Sequence, residues 1–253
     1  ATYQLSKAAH DQGYKVMLSG MGGDEAFAGY PRYLVLKNHS LIKFVSPLLK
    51  LMLKLQLFPK KLNKKFERLV SYSSESNWGV AYSRMLGYFS KQDLDCLFPD
   101  SESLENKFRN RINKIVNKIN CKKNDKVKVA QFLDRTGFLS HNLMVSDKAS
   151  MLASIELRVP LLDESVVAHG YRQSSEELIH KNQTKHPLKK ILKEALPDHL
   201  VDRPKTGFNP PLDGLIDKIG ESRLKQELSS LGKVLNMDAI TILIEQHFSK
   251  TAN

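Results

Sequence analysis

Along most of this chain apolar residues recur at intervals of three and four, the spacing of one helix face. One short run departs from it. Tyr14 to Leu18 carries Val16, Met17 and Leu18 in sequence, and reads as a buried strand because it is too short for a buried helix. Residues 2–12 before it read as a helix that Gly13 ends. After it comes SGMGGDEAFAGYPRY, residues 19–33, within which Asp24 starts a second helix that runs from Glu25 to Tyr33. Acids in that first turn suit the positive end of the helix dipole.

Further helices follow from the same periodicity. Leu41 to Phe58 is the most hydrophobic stretch, yet Lys43, Lys50, Lys54 and Lys61 fall seven, four and seven apart on one face, so the segment is amphipathic rather than spanning. A helix packed against its own domain is the simpler reading than a membrane-surface helix, with Pro47 breaking it near its start. Ser71 to Phe98 suits two short helices after a serine-rich connecting loop. Ser101–Asn120 and Val127–Leu143 read as two more, separated by the polar turn CKKNDK. A helical stretch then reaches Leu157, followed by a Pro-anchored turn and helices over Glu164–Tyr171, Pro187–Ala195, Leu212–Gln226 and Asp238–Phe248.

Almost no strand signal remains after residue 20, which leaves the first strand alone. An isolated buried strand has no partners for its backbone N–H and C=O groups. The expectation is therefore that its neighbours lie upstream and that this chain is the C-terminal part of an α/β domain. The opening ATYQLSKAAHDQGY, without Met or a signal-peptide layout, agrees with that.

Composition narrows the class only a little. Two cysteines, Cys96 and Cys121, exclude a disulfide framework and suit a reducing compartment, so a cytoplasmic location is expected. The net charge of +12 favours anionic partners in general. Much of the excess lies in Asn106 to Lys128, which has no run of interleaved aromatics to stack bases, so a solvated lysine-coated surface is the better reading than a nucleic-acid site. Internal repeats, metal-finger spacings and a GxxxxGK[ST] loop are absent from the sequence.

Three segments combine residues that packing alone does not call for. In the first, Gly20, Gly22 and Gly23 allow successive N–H groups to converge on an anion, and Asp24 would repel phosphate unless a Mg²⁺ ion bridged them. A glycine turn with capping acids is the plainer meaning of that loop taken by itself. The second, DKASMLASIELRVPLLD at residues 147–163, spaces Asp147, Glu156, Arg158 and Asp163 through apolar text, where pairing of Arg158 with Glu156 or Asp163 is expected. The third, HPLKKILKEALPDHLVDRPKTGF at residues 186–208, puts Lys189 and Lys193 on one helical face and ends in a turn that can aim Arg203 and Lys205 into a cleft.

In this order the three segments resemble the signature segments of the glutamine-dependent asparagine synthetase family, over residues 1 to about 212. The resemblance implies a PP-loop ATP pyrophosphatase-like α/β fold, a parallel sheet flanked by helices, of which this chain is a predominantly α-helical portion with one short strand near 14–18. It implies that aspartate attacks the α-phosphorus of MgATP to give β-aspartyl-AMP and pyrophosphate, and that ammonia from glutamine displaces AMP to give asparagine. Ser19, Gly20, Gly22 and Gly23 would contact ATP, Asp24 would bind Mg²⁺, and Lys189, assisted by Lys205, would neutralise charge on the reacting phosphates. Met21 stands where many relatives have an acid, and Asn142 stands where some do.

The same resemblance divides the chain into a nucleotide and metal loop with its helix (1–40), a helical region with the other site segments (41–212) and a helical tail (213–253). The family's SGGxDS loop and its N-terminal glutaminase domain are not in this sequence, so the isolated chain is expected to be inactive. Small-molecule substrates, no nucleic acid and no membrane are the expected partners, with homodimerisation open to the full-length protein. Two other readings stay in view: amidation or β-lactam-type cyclisation of a different carboxylate, and a non-catalytic basic helical interaction module.

Overall fold

The computed structural model describes residues 1–87, 89–119, 125–202 and 212–249. In chain order its elements are α1 (Thr2–Asp11), β1 (Val16–Leu18), α2 (Gly23–Ala26), α3 (Pro31–Lys37), α4 (His39–Lys54), α5 (Lys60–Ser74), α6 (Trp78–Arg84), α7 (Lys91–Leu97), α8 (Ser101–Lys118) and α9 (Lys126–Asp134). A π-helical turn at Arg135–Leu139 leads into α10 (Ser140–Met151), then β2 (Glu156–Arg158), a 3₁₀ turn at Pro160–Leu162, α11 (Glu164–Arg172), α12 (Ser175–Leu178), α13 (His186–Ala195) and α14 (Asp198–Val201). The last three helices are α15 (Leu212–Ile219), α16 (Glu221–Ser229) and α17 (Met237–Phe248). The chain forms two compact units, Ala1–Met85 with Asn113–Lys205, and Leu86–Ile112 with Thr206–Asn253.

The larger unit corrects the expectation of a lone strand. β1 pairs in parallel with β2, with Val16 opposite Glu156, Met17 opposite Leu157 and Leu18 opposite Arg158. The helix expected to reach Leu157 ends at Met151, and three-residue strands are too short to show alternation in the sequence. Nor is β1 buried as expected. Tyr14 and Leu18 are 59% and 73% exposed, because β1 has one strand neighbour among the described residues.

The helix expected from Glu25 to Tyr33 is two helices. Between α2 and α3 the chain turns through Ala28, at a φ of 50°, and Gly29 donates its N–H to the Asp24 carbonyl at 2.8 Å. Pro31 then opens α3 at a position that needs no N–H. Elsewhere Pro47 lies within α4 without ending it, and the serine-rich stretch expected as a loop is helical to Ser74. The next helix starts after Asn77, whose Oδ1 accepts from the N–H groups of Gly79 and Val80.

Helix α9 supplies the centre of this unit. Val127, Ala130 and Leu133 are buried with Phe27, Tyr33, Leu36, Val80 and Tyr82, and α9 packs on α2, α3 and α6. Two polar groups on α9 serve the same core. Gln131 Nε2 donates to the carbonyls of Glu25 and Ala26 at 2.8 and 2.9 Å, and Asp134 accepts at one oxygen from Arg32, Tyr33 and Tyr82.

In the smaller unit Leu97, Ile112 and Ile244 are buried. Asn236 donates its N–H to the Leu97 carbonyl at 2.8 Å, tying the start of α17 to α7. The single helix expected over Leu212–Gln226 divides at Gly220, whose left-handed φ of 81° interrupts the helical backbone, into α15 and α16.

Candidate functional site

The glycine loop begins where β1 ends, and the strand ladder continues into it: Ser19 donates its N–H to the Arg158 carbonyl at 2.8 Å. The Ser19 hydroxyl accepts the Met21 N–H at 3.3 Å, which closes the first turn of the loop. Gly22 then takes a left-handed φ of 87°, and a Cβ there would overlap the Leu162 side chain. Only glycine satisfies both demands. Gly23 follows as the first residue of α2, with Leu161 and Leu188 as its nearest side-chain neighbours, so the second and third sequence segments both pack on the first.

Asp24 sits in the first turn of α2 and forms an ion pair with Lys185, Oδ1 to Nζ 3.0 Å. A side chain at Gly29 would overlap both partners, so the turn after α2 is what lets them meet. Lys185 holds a left-handed backbone (φ 55°) as the residue preceding α13. The sequence reading missed this lysine because it lies one residue outside the segment singled out. Its relation to Lys189, four residues on and therefore one turn along the same face, was the available signal.

Lys189 goes elsewhere: its Nζ pairs with Asp202 Oδ1 at 3.1 Å, and Lys193 reaches Asp202 Oδ2 at 2.7 Å. Hydrogen bonds from Lys193 and Lys189 hold the Asp202 carboxyl below its ordinary range. Lys205 and Arg203 lie outside the described residues. Arg158 pairs with Glu156 at 2.9 Å, as expected, while Asp163 caps α11 by accepting the Ser165 N–H at 2.9 Å.

The acid beside Asp24 has a structural partner. Glu25 is buried and accepts from the Tyr30 hydroxyl at 2.6 Å. Burial raises its pKa despite that hydrogen bond, with Asp24 and Asp134 adding to the rise. Arg32 stacks over the Tyr30 ring, 3.6 Å from its centroid, and reaches Asp134 at 2.8 Å. These contacts tie both sides of the α2–α3 turn to one another and to α9.

Beside the loop opens a cavity of about 610 Å³, lined by Arg135, Leu139, Leu143, Leu162, Glu164 and Tyr171 among others. Leu162 is thus a wall shared by the cavity and Gly22. Arg135 belongs to the π-helical turn, with its guanidinium 4.9 Å from the centre of the Tyr171 ring.

A Mg²⁺ ion typically uses one or two carboxylates and completes its shell with phosphate oxygens and water. Asp24 offers one such carboxylate, and no group of three or more His, Cys, Asp or Glu side chains that could hold a metal occurs among the described residues. The donor set fits an ion held mainly by substrate phosphates. It does not fit a metal cage built from protein alone.

The asparagine synthase family profile matches residues 1–253, and the chain belongs to that family. An 89-residue stretch is 37% identical to a Mycobacterium tuberculosis protein provisionally named asparagine synthetase (glutamine-hydrolyzing), covering 35% of this chain and 14% of the relative. A 115-residue stretch is 34% identical to asparagine synthetase (glutamine-hydrolyzing) 1 of Bacillus subtilis, covering 44% of this chain and 18% of that protein. The matched stretches therefore span less than a fifth of these relatives. No solved structure matches the chain. Among the described residues no helix is long and apolar enough to cross a membrane.

Proposed function

We propose that this chain is the C-terminal portion of the synthetase region of an ATP-dependent amide-forming ligase. In that reading aspartate is activated as β-aspartyl-AMP with release of pyrophosphate, and ammonia derived from glutamine displaces AMP to give asparagine. The family membership supports the class of reaction. The observation that carries the site is convergence: residues about 140 and 160 positions downstream meet the loop through Arg158, Leu162 and Lys185.

Ser19 and Gly20, with Gly22 and Gly23, would present backbone N–H groups to ATP at the end of β1, in the crevice where open α/β sheets bind ligands. Asp24 would hold Mg²⁺, which when bound draws negative charge off the phosphates. Lys185 faces the same carboxylate and so would face the same phosphates. Lys189, one turn further along α13, would exchange its Asp202 pairing for developing charge on pyrophosphate, a task for a preorganised cation. A role for Lys205 beside it, and the PP-loop-like fold of the whole domain, belong to the same reading.

Met21 gives the alternative acceptor a specific footing. It is half-buried in the loop and offers neither charge nor a transferable proton where many relatives have an acid. The test is made on the full-length protein. With aspartate and glutamine, aspartate-dependent ATP–pyrophosphate exchange and asparagine formation are expected, and both should vanish in Asp24→Ala and Lys189→Met. ATP turnover without asparagine would transfer the reading to another carboxylate acceptor, and unchanged rates in both variants would mark the chain as a non-catalytic module.

A further inference from the structure

Helix α4 presents three faces, and among the described residues only one of them is packed against a neighbouring helix. Ile42, Val45, Leu49 and Met52 are half-buried, and α4 packs lengthwise on α5. Three ties hold this hairpin: the Tyr72 hydroxyl with His39 Nδ1 at 2.5 Å, the Ser46 and Ser73 hydroxyls with each other, and Phe58 stacked on Phe66 at 4.3 Å between centroids. Lys43, Lys50 and Lys54 form the second face.

The third face is apolar and bare. Leu41, Phe44, Leu48, Leu51 and Leu55 follow one another at steps of three and four, each is more than half exposed, and Phe44 is 84% exposed. The stripe runs for about 21 Å at the rise of an α-helix. The expected packing of this helix against its own domain therefore holds for the face on α5, while this face is left exposed. Single exposed leucines are ordinary; an ordered stripe of five is the mark of an interaction surface.

Charge selects the occupant. From His39 to Ser74 the sequence holds Lys43, Lys50, Lys54, Lys65 and Arg68 among its bases and Glu67 as its sole acid. A second copy docked through the same stripe would set one lysine face beside another, in a chain that already carries +12. An acidic lipid surface meets both features, since lysine stems can lie along apolar surface while their ammonium groups reach phosphate. We infer that the α4–α5 hairpin docks this chain on an anionic lipid surface, with α4 parallel to the bilayer plane, Phe44 and Leu48 at the acyl boundary and Lys43, Lys50 and Lys54 on the headgroups. Nothing in this rests on the nucleotide chemistry of the glycine loop.

The experiment is vesicle flotation with the 253-residue chain, using phosphatidylcholine vesicles and phosphatidylcholine vesicles containing phosphatidylglycerol. Binding is expected to the second set only, falling as salt is raised. The pairs Phe44→Ser with Leu48→Ser and Lys50→Glu with Lys54→Glu should each weaken it about tenfold or more. Because these side chains are exposed, thermal unfolding of both variants should match the parent. A Phe44→Trp variant should show a blue-shifted emission with the acidic vesicles alone. Absence of binding to acidic vesicles, or equal binding to both sets, would overturn the inference. So would a lipid-free, concentration-dependent dimer that the serine pair dissociates.

Discussion

Lys185 Nζ lies 3.0 Å from Asp24 Oδ1, which joins the residue before α13 to the first turn of α2 across most of the larger unit's sequence. Both side chains are largely shielded, at 30% and 17% exposure, so the contact is less screened than a surface pair. A double-mutant cycle of Asp24→Asn and Lys185→Met, followed by urea denaturation, should give a coupling of about 0.5–3 kcal/mol. In the full-length protein Lys185→Met should also raise the KM for ATP. Additive losses of stability would show that the two residues act separately.

Gly22 answers to a neighbour as well as to its own backbone. Ala at this position must adopt the left-handed φ and displace Leu162, so Gly22→Ala should cost about 1–3 kcal/mol of stability in denaturant titration. Leu162→Ala in the same chain should recover the part due to overlap and leave the part due to φ. Loss of the whole effect in the double variant would assign the constraint to packing alone.

Asp134 is fully buried and accepts at Oδ2 from Arg32 at 2.8 Å, Tyr33 at 2.5 Å and Tyr82 at 2.6 Å. Asp134→Ala strands a buried cation and should cost about 3–5 kcal/mol. Tyr82→Phe removes one of the three donors to the Asp134 side chain and should cost about 1.5–3 kcal/mol. Equal losses in the two variants would contradict a network centred on the carboxylate. Thermal melts of the purified chain measure both.

Glu25 makes stability depend on pH in an unusual direction for an acid. Burial, opposed by the Tyr30 hydrogen bond, raises its folded-state pKa above 4.5, so the folded chain holds its proton more tightly than the unfolded chain. The stabilisation is complete below 4.5 and is lost as pH rises through the folded-state value. Glu25→Gln should therefore gain stability relative to the parent as pH increases toward neutrality, read as the difference between paired urea titrations. A difference that does not change with pH would remove Glu25 from this role.

Much of the helical layout was legible because a helix face repeats within a few residues. The bounds of α1, α11, α13 and α17 follow closely from apolar spacing and caps. Other features depend on distant contacts and left no local trace. Three residues of β2 sit inside helix-period text, and a parallel partner for β1 lies across the whole helical middle of the chain. The α2–α3 break did have local signals, Gly29 and Pro31, which the expected single helix ran through; only the meeting of the turn with Lys185 depends on a distant contact.

The candidate site divides along the same line. The order of three residue-specific segments, the glycines of the loop, Asp24 and the lysine-bearing helix are local text, and by themselves they determined the family, because backbone freedom, charge and spacing are carried by individual residues. Which lysine reaches Asp24, and whether the leucines of α4 are covered, were decided only by tertiary structure. An ion pair or a buried face is a relation between surfaces far apart in sequence, and it exists only once the chain has brought them to within a few ångströms.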